Sequence, residues 1–259
     1  MASSYPSKMT LVKLFLARIA VHRRPNDPDS WLRLGRAYEQ RNRWEDAVSA
    51  YERAISLAPD NAQALLRLAS SYTQRHSRGY LYSGYLFRDD RLQERLSDVK
   101  REGLEIAVKI FTQALNLEPE NAEAWNNLAF TYGQLDKLED EINAYRQAVK
   151  IKPDYVQAWH NLITVYYNQR RHEEVARVCT EAVRHIPDDP RTWSDLGSAH
   201  QECGRLPEAA TAYREAWRLR PTFPGPWLRL GTILAELGKT DEAIGVFQEA
   251  LTEDSRRWK

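Results

Sequence analysis

Two short motifs mark the places in this sequence where phosphate or metal chemistry could be expected. The triplet Gly238–Thr240 is like the end of a phosphate-binding loop, but that motif needs a glycine where Ile233 stands. His200 and Cys203 have the spacing of two metal ligands on one helix, yet no second pair completes the four ligands of a zinc site. The sequence therefore predicts no catalytic residue, no metal and no cofactor, and we expect the protein not to be an enzyme.

The overall composition favours a folded chain and argues against several classes of partner. Of 259 residues, 42% are hydrophobic, and 37 basic residues balance 36 acidic ones, which disfavours a nucleic-acid partner. The longest apolar stretch, 11–21, carries Lys13 and Arg18 and is too short to span a bilayer, so we expect no integral membrane span. Two cysteines without a CxxC motif favour a reducing, cytoplasmic location.

A regular period organises most of the chain. Four tryptophans follow one another at equal intervals: Trp125, Trp159, Trp193 and Trp227. Four prolines keep the same interval: Pro119, Pro153, Pro187 and Pro221. Pro25 and Pro59 are separated by this interval as well, whereas Pro119 follows Pro59 at a much longer one, so one unit carries an insertion. A fixed spacing of about 34 residues indicates a repeat architecture.

Each unit contains two amphipathic segments with the period of an α-helix. In the unit 28–61 the first segment places apolar or small residues on one helical face, at Trp31, Leu34, Gly35 and Tyr38. The second segment does the same with Ala47, Tyr51 and Ala54. Pro59 then ends the second helix, because proline lacks the amide hydrogen and clashes with the preceding turn. The pattern predicts a helix–turn–helix unit with small residues at the close approach of two helices.

These residues resemble the tetratricopeptide repeat (TPR) family, whose pattern they reproduce over nearly the whole chain. The resemblance implies an all-α fold, a right-handed α-solenoid of about six repeats with an N-terminal half-repeat helix and an insertion in the second repeat. We predict one solenoid over 1–259, divided into a capping half-repeat 9–27 and the repeats 28–61, 62–121 (insertion about 77–102), 122–155, 156–189, 190–223 and 224–257.

Several positions depart from the family pattern. Glu141 and Val175 replace the small residue of the second helix in the third and fourth repeats. Repeat arrays tolerate such exceptions because each unit is stabilised by its neighbours. We expect the stem of Glu141 to pack in the interior while its carboxylate reaches water.

The resemblance also implies a concave binding surface, lined by the first helix of each repeat. Carried onto this chain, the candidate peptide- or partner-binding residues are Arg33, Arg36, Arg67, Asn126, Asn127, Phe130, His160, Asn161 and Tyr167. The lysine–asparagine clamp with which some family members grip a terminal carboxylate is absent from every repeat. Binding of chaperone tails is therefore disfavoured.

Two features of this surface predict the chemistry of a partner. Asn127 and Asn161 occupy equivalent positions and are similar to the asparagine ladders with which some members of the family hold a peptide. An amide side chain offers a donor and an acceptor, so it pairs with a peptide group of any sequence. Arginines at one end and aromatic residues in the middle suit an extended segment with an acidic end and apolar side chains.

The insertion and the N-terminal segment leave alternatives open. The insertion carries an aromatic cluster that either packs on the repeat or forms a partner surface: Tyr80, Tyr82, Tyr85 and Phe87. After it, the sequence of 89–100 predicts an N-terminal extension of the second helix. The segment 1–24 is basic and free of acids, so it caps the solenoid or forms a transit peptide or membrane-surface helix.

We therefore expect a protein–protein interaction scaffold that binds a protein or extended peptide in its groove. The alternative is an assembly module that self-associates through the insertion and the terminal helices, with peripheral membrane attachment through the first helix as a further possibility.

Overall fold

The computed structural model describes residues 8–77, 90–222 and 224–257. Within these ranges the chain forms thirteen helices and no strand. In chain order they are α1 Lys8–Arg23, α2 Pro28–Glu39, α3 Trp44–Leu57, α4 Ala62–Ser77, α5 Asp90–Leu117, α6 Ala122–Gln134, α7 Leu138–Ile151, α8 Val156–Asn168, α9 His172–His185, α10 Pro190–Glu202, α11 Leu206–Leu219, α12 Pro224–Glu236 and α13 Thr240–Arg257.

Polar side chains and prolines determine where the first helices of the repeats begin. The side chains of Asn61 and Asn121 accept hydrogen bonds of 3.0 Å from the backbone amides three residues later, which are otherwise unpaired at a helix start. Pro28 and Pro190 stand at the first helical position of α2 and α10, where a missing amide hydrogen costs nothing. The boundaries of the repeats thus follow from local chemistry.

The turn between the two helices of a repeat has a recurring backbone conformation. One residue of the turn has a positive φ between 55° and 74°, at Asn42, Asp136, Arg170, Gly204 and Gly238. These residues are equivalent in their repeats, since the members from Asp136 onwards follow one another at the same interval as the tryptophans. Asn, Asp and Gly adopt this left-handed conformation readily, whereas the arginine does so at a steric cost.

The spacing of tryptophan and proline has a direct structural cause. The indole Nε1 of the first-helix tryptophan donates a hydrogen bond of 2.7 to 2.9 Å to a proline carbonyl six residues earlier. The pairs are Trp31–Pro25, Trp125–Pro119, Trp159–Pro153 and Trp193–Pro187. Each tryptophan therefore joins its own repeat to the end of the second helix before it.

The chain divides into two compact units, Met1–Ala144 and Tyr145–Lys259, each with its own hydrophobic core. In the first unit, α1 to α4 share a core around the fully buried Tyr51, and Phe111 of α5 packs with Leu128 of α6. In the second unit, Tyr213 of α11 packs with Leu230 and its neighbours on α12 and α13. The helices thus bury the faces that the helical pattern of the sequence identifies.

The insertion is followed by an unusually long helix. Helix α5 has 28 residues, whereas the second helix of the preceding repeat, α3, has 14. The extension on the N-terminal side of the second helix is therefore present. No helix in the described ranges is both long and apolar enough to cross a membrane.

Glu141 is partly exposed, and it packs against the facing helix of its repeat. Its carboxylate, rather than only its stem, lies against Gly133 of α6: a Cβ on Gly133 would come within 2.5 Å of Oε1 of Glu141. Burial, and then the negative charge of Asp136, raises the pKa of Glu141 to about 7. A glycine on the facing helix thus makes room for the large residue that stands where most other repeats have alanine.

Candidate partner-binding surface

Two of the candidate residues in the first unit line the same cleft. Arg67 of α4 and Asn127 of α6 border a cleft of about 180 Å³. Its other lining residues are mostly polar: Gln63, Leu66, Ser70, Glu118, Asn121, Glu123 and Ala124. The cleft therefore presents amide, hydroxyl, guanidinium and carboxylate groups side by side.

Arg67 is held in position by an acid that sequence analysis missed. Its guanidinium lies 3.4 Å from a carboxylate oxygen of Glu39, at the end of α2, and Glu39 also accepts a hydrogen bond of 3.2 Å from Ser71. Burial raises the pKa of Glu39, although the charge of Arg67 opposes the change. Sequence offered no signal for this contact, because Glu39 lies outside the regular spacing of apolar residues that defines the repeat.

The two neighbouring asparagines of α6 have different surroundings. Asn126 is buried, and its amide donates a hydrogen bond of 3.3 Å to Oδ1 of Asn127. Asn127 is half-buried and faces the cleft with its side chain. Asn126 thus lies behind Asn127 and supports it rather than facing solvent. Phe130, one turn further along α6, is 39% exposed.

The arginines of α2 border a second cavity of the first unit. Arg33 and Arg36 line a cavity of about 310 Å³ between α1 and α2, together with Lys13, Leu16, Ala17, Ala20, Ala37 and Gln40. Nε of Arg36 is buried and has no hydrogen-bond partner. Three cations therefore surround an apolar floor, an arrangement that suits a group combining a negative charge with an apolar part.

In the second unit His160 is engaged in a contact between helices. Its Nε2 lies 2.8 Å from Oδ2 of Asp189, and the same oxygen accepts hydrogen bonds from the amide (2.8 Å) and the hydroxyl (2.6 Å) of Thr192. Burial by itself would raise the pKa of Asp189, but the hydrogen bonds from His160 and Thr192 lower it to about 2. His160 therefore joins α8 to the start of α10.

Tyr167 and Asn161 also have partners within the second unit. The hydroxyl of Tyr167 donates a hydrogen bond of 3.1 Å to the backbone carbonyl of Asp195, and burial raises the pKa of this tyrosine. Oδ1 of Asn161 accepts a hydrogen bond of 2.8 Å from Gln157 on the same helix. Burial raises the pKa of the Asp195 carboxyl to about 6, although the charges of Arg191 and His160 oppose this change.

The aromatic cluster of the insertion falls outside the described residues. The four positions concerned are Tyr80, Tyr82, Tyr85 and Phe87. In the described ranges, no group of three or more His, Cys, Asp or Glu residues is arranged to hold a metal ion.

Comparison with known families identifies the repeats. Three tetratricopeptide repeat models match residues 28–71, 110–143 and 194–257, which together make up more than half of the chain. Among curated proteins, the peroxisomal targeting signal receptor of Komagataella phaffii is 31% identical over 80 residues, 31% of this chain and 13% of the receptor. That of Candida albicans is 40% identical over 53 residues, 20% of this chain and 9% of the receptor. The matched segments thus cover only a small part of these relatives.

Solved structures share the fold at low sequence identity. MamA protein has a TM-score of 0.56 at 18% identity, with 75% of this chain and 92% of that chain covered. YrrB, described as a TPR protein with an unusual peptide-binding site, has a TM-score of 0.54 at 15% identity, with 81% and 95% covered. The predicted all-α repeat fold is confirmed, and the chain belongs to the tetratricopeptide repeat family.

Proposed function

We propose that this protein is a cytoplasmic, non-enzymatic scaffold that binds an extended peptide or protein segment along the first helices of its repeats. The fold supports the general function, a protein–protein interaction scaffold. The observation that carries the finer proposal is the cleft lined by both Arg67 and Asn127. A cleft of this composition offers an extended chain both donors and acceptors of hydrogen bonds.

The supported side chain of Asn127 is suited to hold the backbone of a ligand. Because Asn126 already donates to Oδ1 of Asn127, that amide has lost part of its rotational freedom before a ligand binds. Its NH₂ group is suited to donate to a peptide carbonyl. In the second unit the hydrogen bond from Gln157 restrains Asn161 in the same way. The two equivalent asparagines are thus both oriented by a neighbouring amide.

The charges and the apolar surface of the first unit define the kind of segment that fits. Arg33 and Arg36 border the cavity beside α1 and favour an acidic end. Phe130 offers partly exposed aromatic surface for an apolar side chain of the ligand. The names of two similar proteins, a targeting signal receptor and a TPR protein with a peptide-binding site, also support a peptide ligand.

Selection of peptides on the full chain tests this proposal. We expect a library of random peptides to yield sequences with an acidic end and apolar residues, and Asn127→Ala with Asn161→Ala to weaken their binding about tenfold or more. The matched control is Asn143→Ala, an exposed asparagine on the second helix α7, which should bind as the unmodified protein does. Equal binding by the double variant, with unchanged helical circular dichroism, would rule out this surface.

The last repeat favours a second function, assembly with another copy. Leu228 of α12 and Ile244 and Leu251 of α13 are about half or more exposed. Ile244 and Leu251 are seven residues apart and therefore lie on one face of α13, and exposed apolar residues that share a face favour an interaction surface. Light scattering of the full chain should then show a dimer that Leu251→Ser weakens. Removal of residues 79–89 tests separately whether the insertion contributes to the dimer. A monomer at high concentration would contradict this function.

A further inference from the structure

Helix α1 is apolar on both sides, although only one side is buried. Leu14 and Ala17 are buried against α2. Around the other side, Met9, Leu11, Val12, Phe15 and Leu16 are between 48% and 68% exposed. A helix with apolar residues on two sides is normally covered on both, so this exposed face needs an explanation. Large exposed apolar side chains at such close spacing form a patch rather than the scattered exceptions of an ordinary surface.

The outer side of α1 carries apolar residues at positions that are polar in other repeats. Counted from the proline that follows each second helix, Leu11, Phe15 and Ile19 are equivalent to Glu45, Ser49 and Arg53 of α3. The same positions are occupied by Glu139, Asn143 and Gln147 in α7 and by Glu173, Arg177 and Glu181 in α9. The apolar outer side is therefore particular to α1 and is not required by the repeat.

A missing neighbouring helix does not account for this outer side. Helix α3 packs against both α2 and α4, yet Glu45, Ser49 and Arg53 remain exposed. A helix placed before α1 would cover the side of Lys13, Leu16 and Ala20, which are equivalent to the buried Ala47, Ala50 and Ala54 of α3. It would leave Leu11 and Phe15 in water. The patch is wider than the face that one packed helix covers.

The charges of the same segment are all positive. No acid precedes Asp27, whereas Lys13, Arg18 and Arg23 lie along the helix. Arg18 is held to the body of the repeat, because its Nη2 donates a hydrogen bond of 3.2 Å to the hydroxyl of Tyr38. A surface that is apolar and basic at once complements one that combines hydrocarbon with negative charge.

We propose that α1 docks on an anionic membrane surface, with Leu11, Val12, Phe15 and Leu16 entering the boundary between headgroups and acyl chains. Lys13 and Arg23 then contact the anionic headgroups. A lipid surface is flat and extended, so it covers the outer side of the helix and the adjoining side of Lys13 and Leu16 together. An acceptor helix from another protein would cover one stripe of about the width seen between α2 and α3. The width of the patch and the absence of acids favour lipid.

Sedimentation with vesicles tests the docking. The full chain should bind vesicles of phosphatidylcholine with about 30% phosphatidylserine at least about tenfold more tightly than vesicles of phosphatidylcholine alone, and raised salt should weaken this binding. Phe15→Ser with Leu16→Ser should reduce binding to the anionic vesicles about tenfold or more. The matched control is Leu117→Ser, which removes an exposed leucine from the end of α5 and should bind as the unmodified protein does.

Three results would overturn the proposal. The first is no sedimentation with anionic vesicles, and the second is equal sedimentation by the Phe15 and Leu16 double variant with its helical circular dichroism intact. The third is a dimer in light scattering that the double variant converts to a monomer while vesicles remain unbound. In that case a second copy of the chain covers the patch.

Discussion

Gly35 of α2 lies directly against the ring of Tyr51 of α3. A Cβ built on Gly35 would come within 2.3 Å of Cε1 of the tyrosine, far inside any normal contact. The last two repeats contain the same arrangement, with Gly197 against Tyr213 and Gly231 against Phe247. The two helices of a repeat therefore approach each other by pairing a residue without a side chain with a large flat ring.

This relationship predicts that Gly35→Ala destabilises the protein. The ring of Tyr51 is fully buried, so it has no space into which to move. Overpacking of this kind lowers the free energy of unfolding by about 1–3 kcal/mol, even though alanine favours a helix more than glycine does. Urea denaturation measures the change.

Gly245→Ala is the matched control for that substitution. Nothing lies within 4 Å of a Cβ at this position in α13. The helix propensity of alanine should then raise the free energy of unfolding by about 0.5–1 kcal/mol. If the two substitutions had equal effects, the close packing of Gly35 and Tyr51 would not explain the first.

The stability of the protein should depend on pH through Glu141. Its pKa in the folded protein is about 7, above the ordinary value of 4.5, because burial disfavours the charge. The folded state therefore binds the proton more tightly than the unfolded chain does, and the free energy of unfolding falls as the pH rises from 4.5 to 7. Solvent around the half-buried carboxylate limits the loss to about 1–2 kcal/mol.

Glu141→Gln isolates this contribution. The amide has the same shape but does not ionise, so the difference in unfolding free energy between variant and unmodified protein should grow from pH 4.5 to 7. Comparing the two proteins removes the contributions of other groups, such as Asp195. A difference that stays constant over this range would show that the carboxylate keeps an ordinary pKa.

The repeats could be predicted from sequence because their residues act locally. Tryptophan and proline recur together since Trp159 donates to the carbonyl of Pro153 within one short segment, and the other repeats do the same. The same applies to Pro28 and to Asn61, which start α2 and α4 through contacts within a few residues. Periodicity then identifies the buried face of each helix without knowledge of its neighbours.

The polar contacts of the candidate surface could not be predicted in this way. His160 meets Asp189 from 29 residues away, and Arg67 meets Glu39 from 28 residues away. The spacing of 28 residues recurs at equivalent positions, between Arg229 and Gln201 and between Tyr167 and Asp195. The residue types at these positions differ from repeat to repeat, so no residue pattern in the sequence identifies the contact. Periodicity placed Asn126 on the binding surface, but its burial follows from the packing around α6. The sequence thus predicts which face of a helix carries a polar residue, but it does not predict which residue that side chain contacts.

Arg170→Gly should stabilise the second unit. Arg170 has a φ of 55°, a conformation that costs a residue with a side chain about 1 kcal/mol, and glycine occupies the equivalent position at Gly204. Because glycine also loses more entropy on folding, we expect a net gain of about 0.5 kcal/mol in thermal or urea denaturation. Gly204→Arg should have the opposite sign. A loss on Arg170→Gly would mean that the arginine side chain makes a compensating contact.

Asp189→Ala should lower the free energy of unfolding of the second unit by more than the removal of an exposed surface charge does. One oxygen of Asp189 accepts from the Thr192 amide at the start of α10, from the Thr192 hydroxyl and from His160 of the preceding repeat. Loss of a helix cap costs about 1–2 kcal/mol, and His160, which is mostly buried, loses its partner as well. The neighbouring Asp188 is exposed, so Asp188→Ala should change the free energy of unfolding by less than about 0.5 kcal/mol. Equal effects of the two alanine substitutions in urea denaturation would mean that the cap and the histidine contact contribute nothing beyond charge.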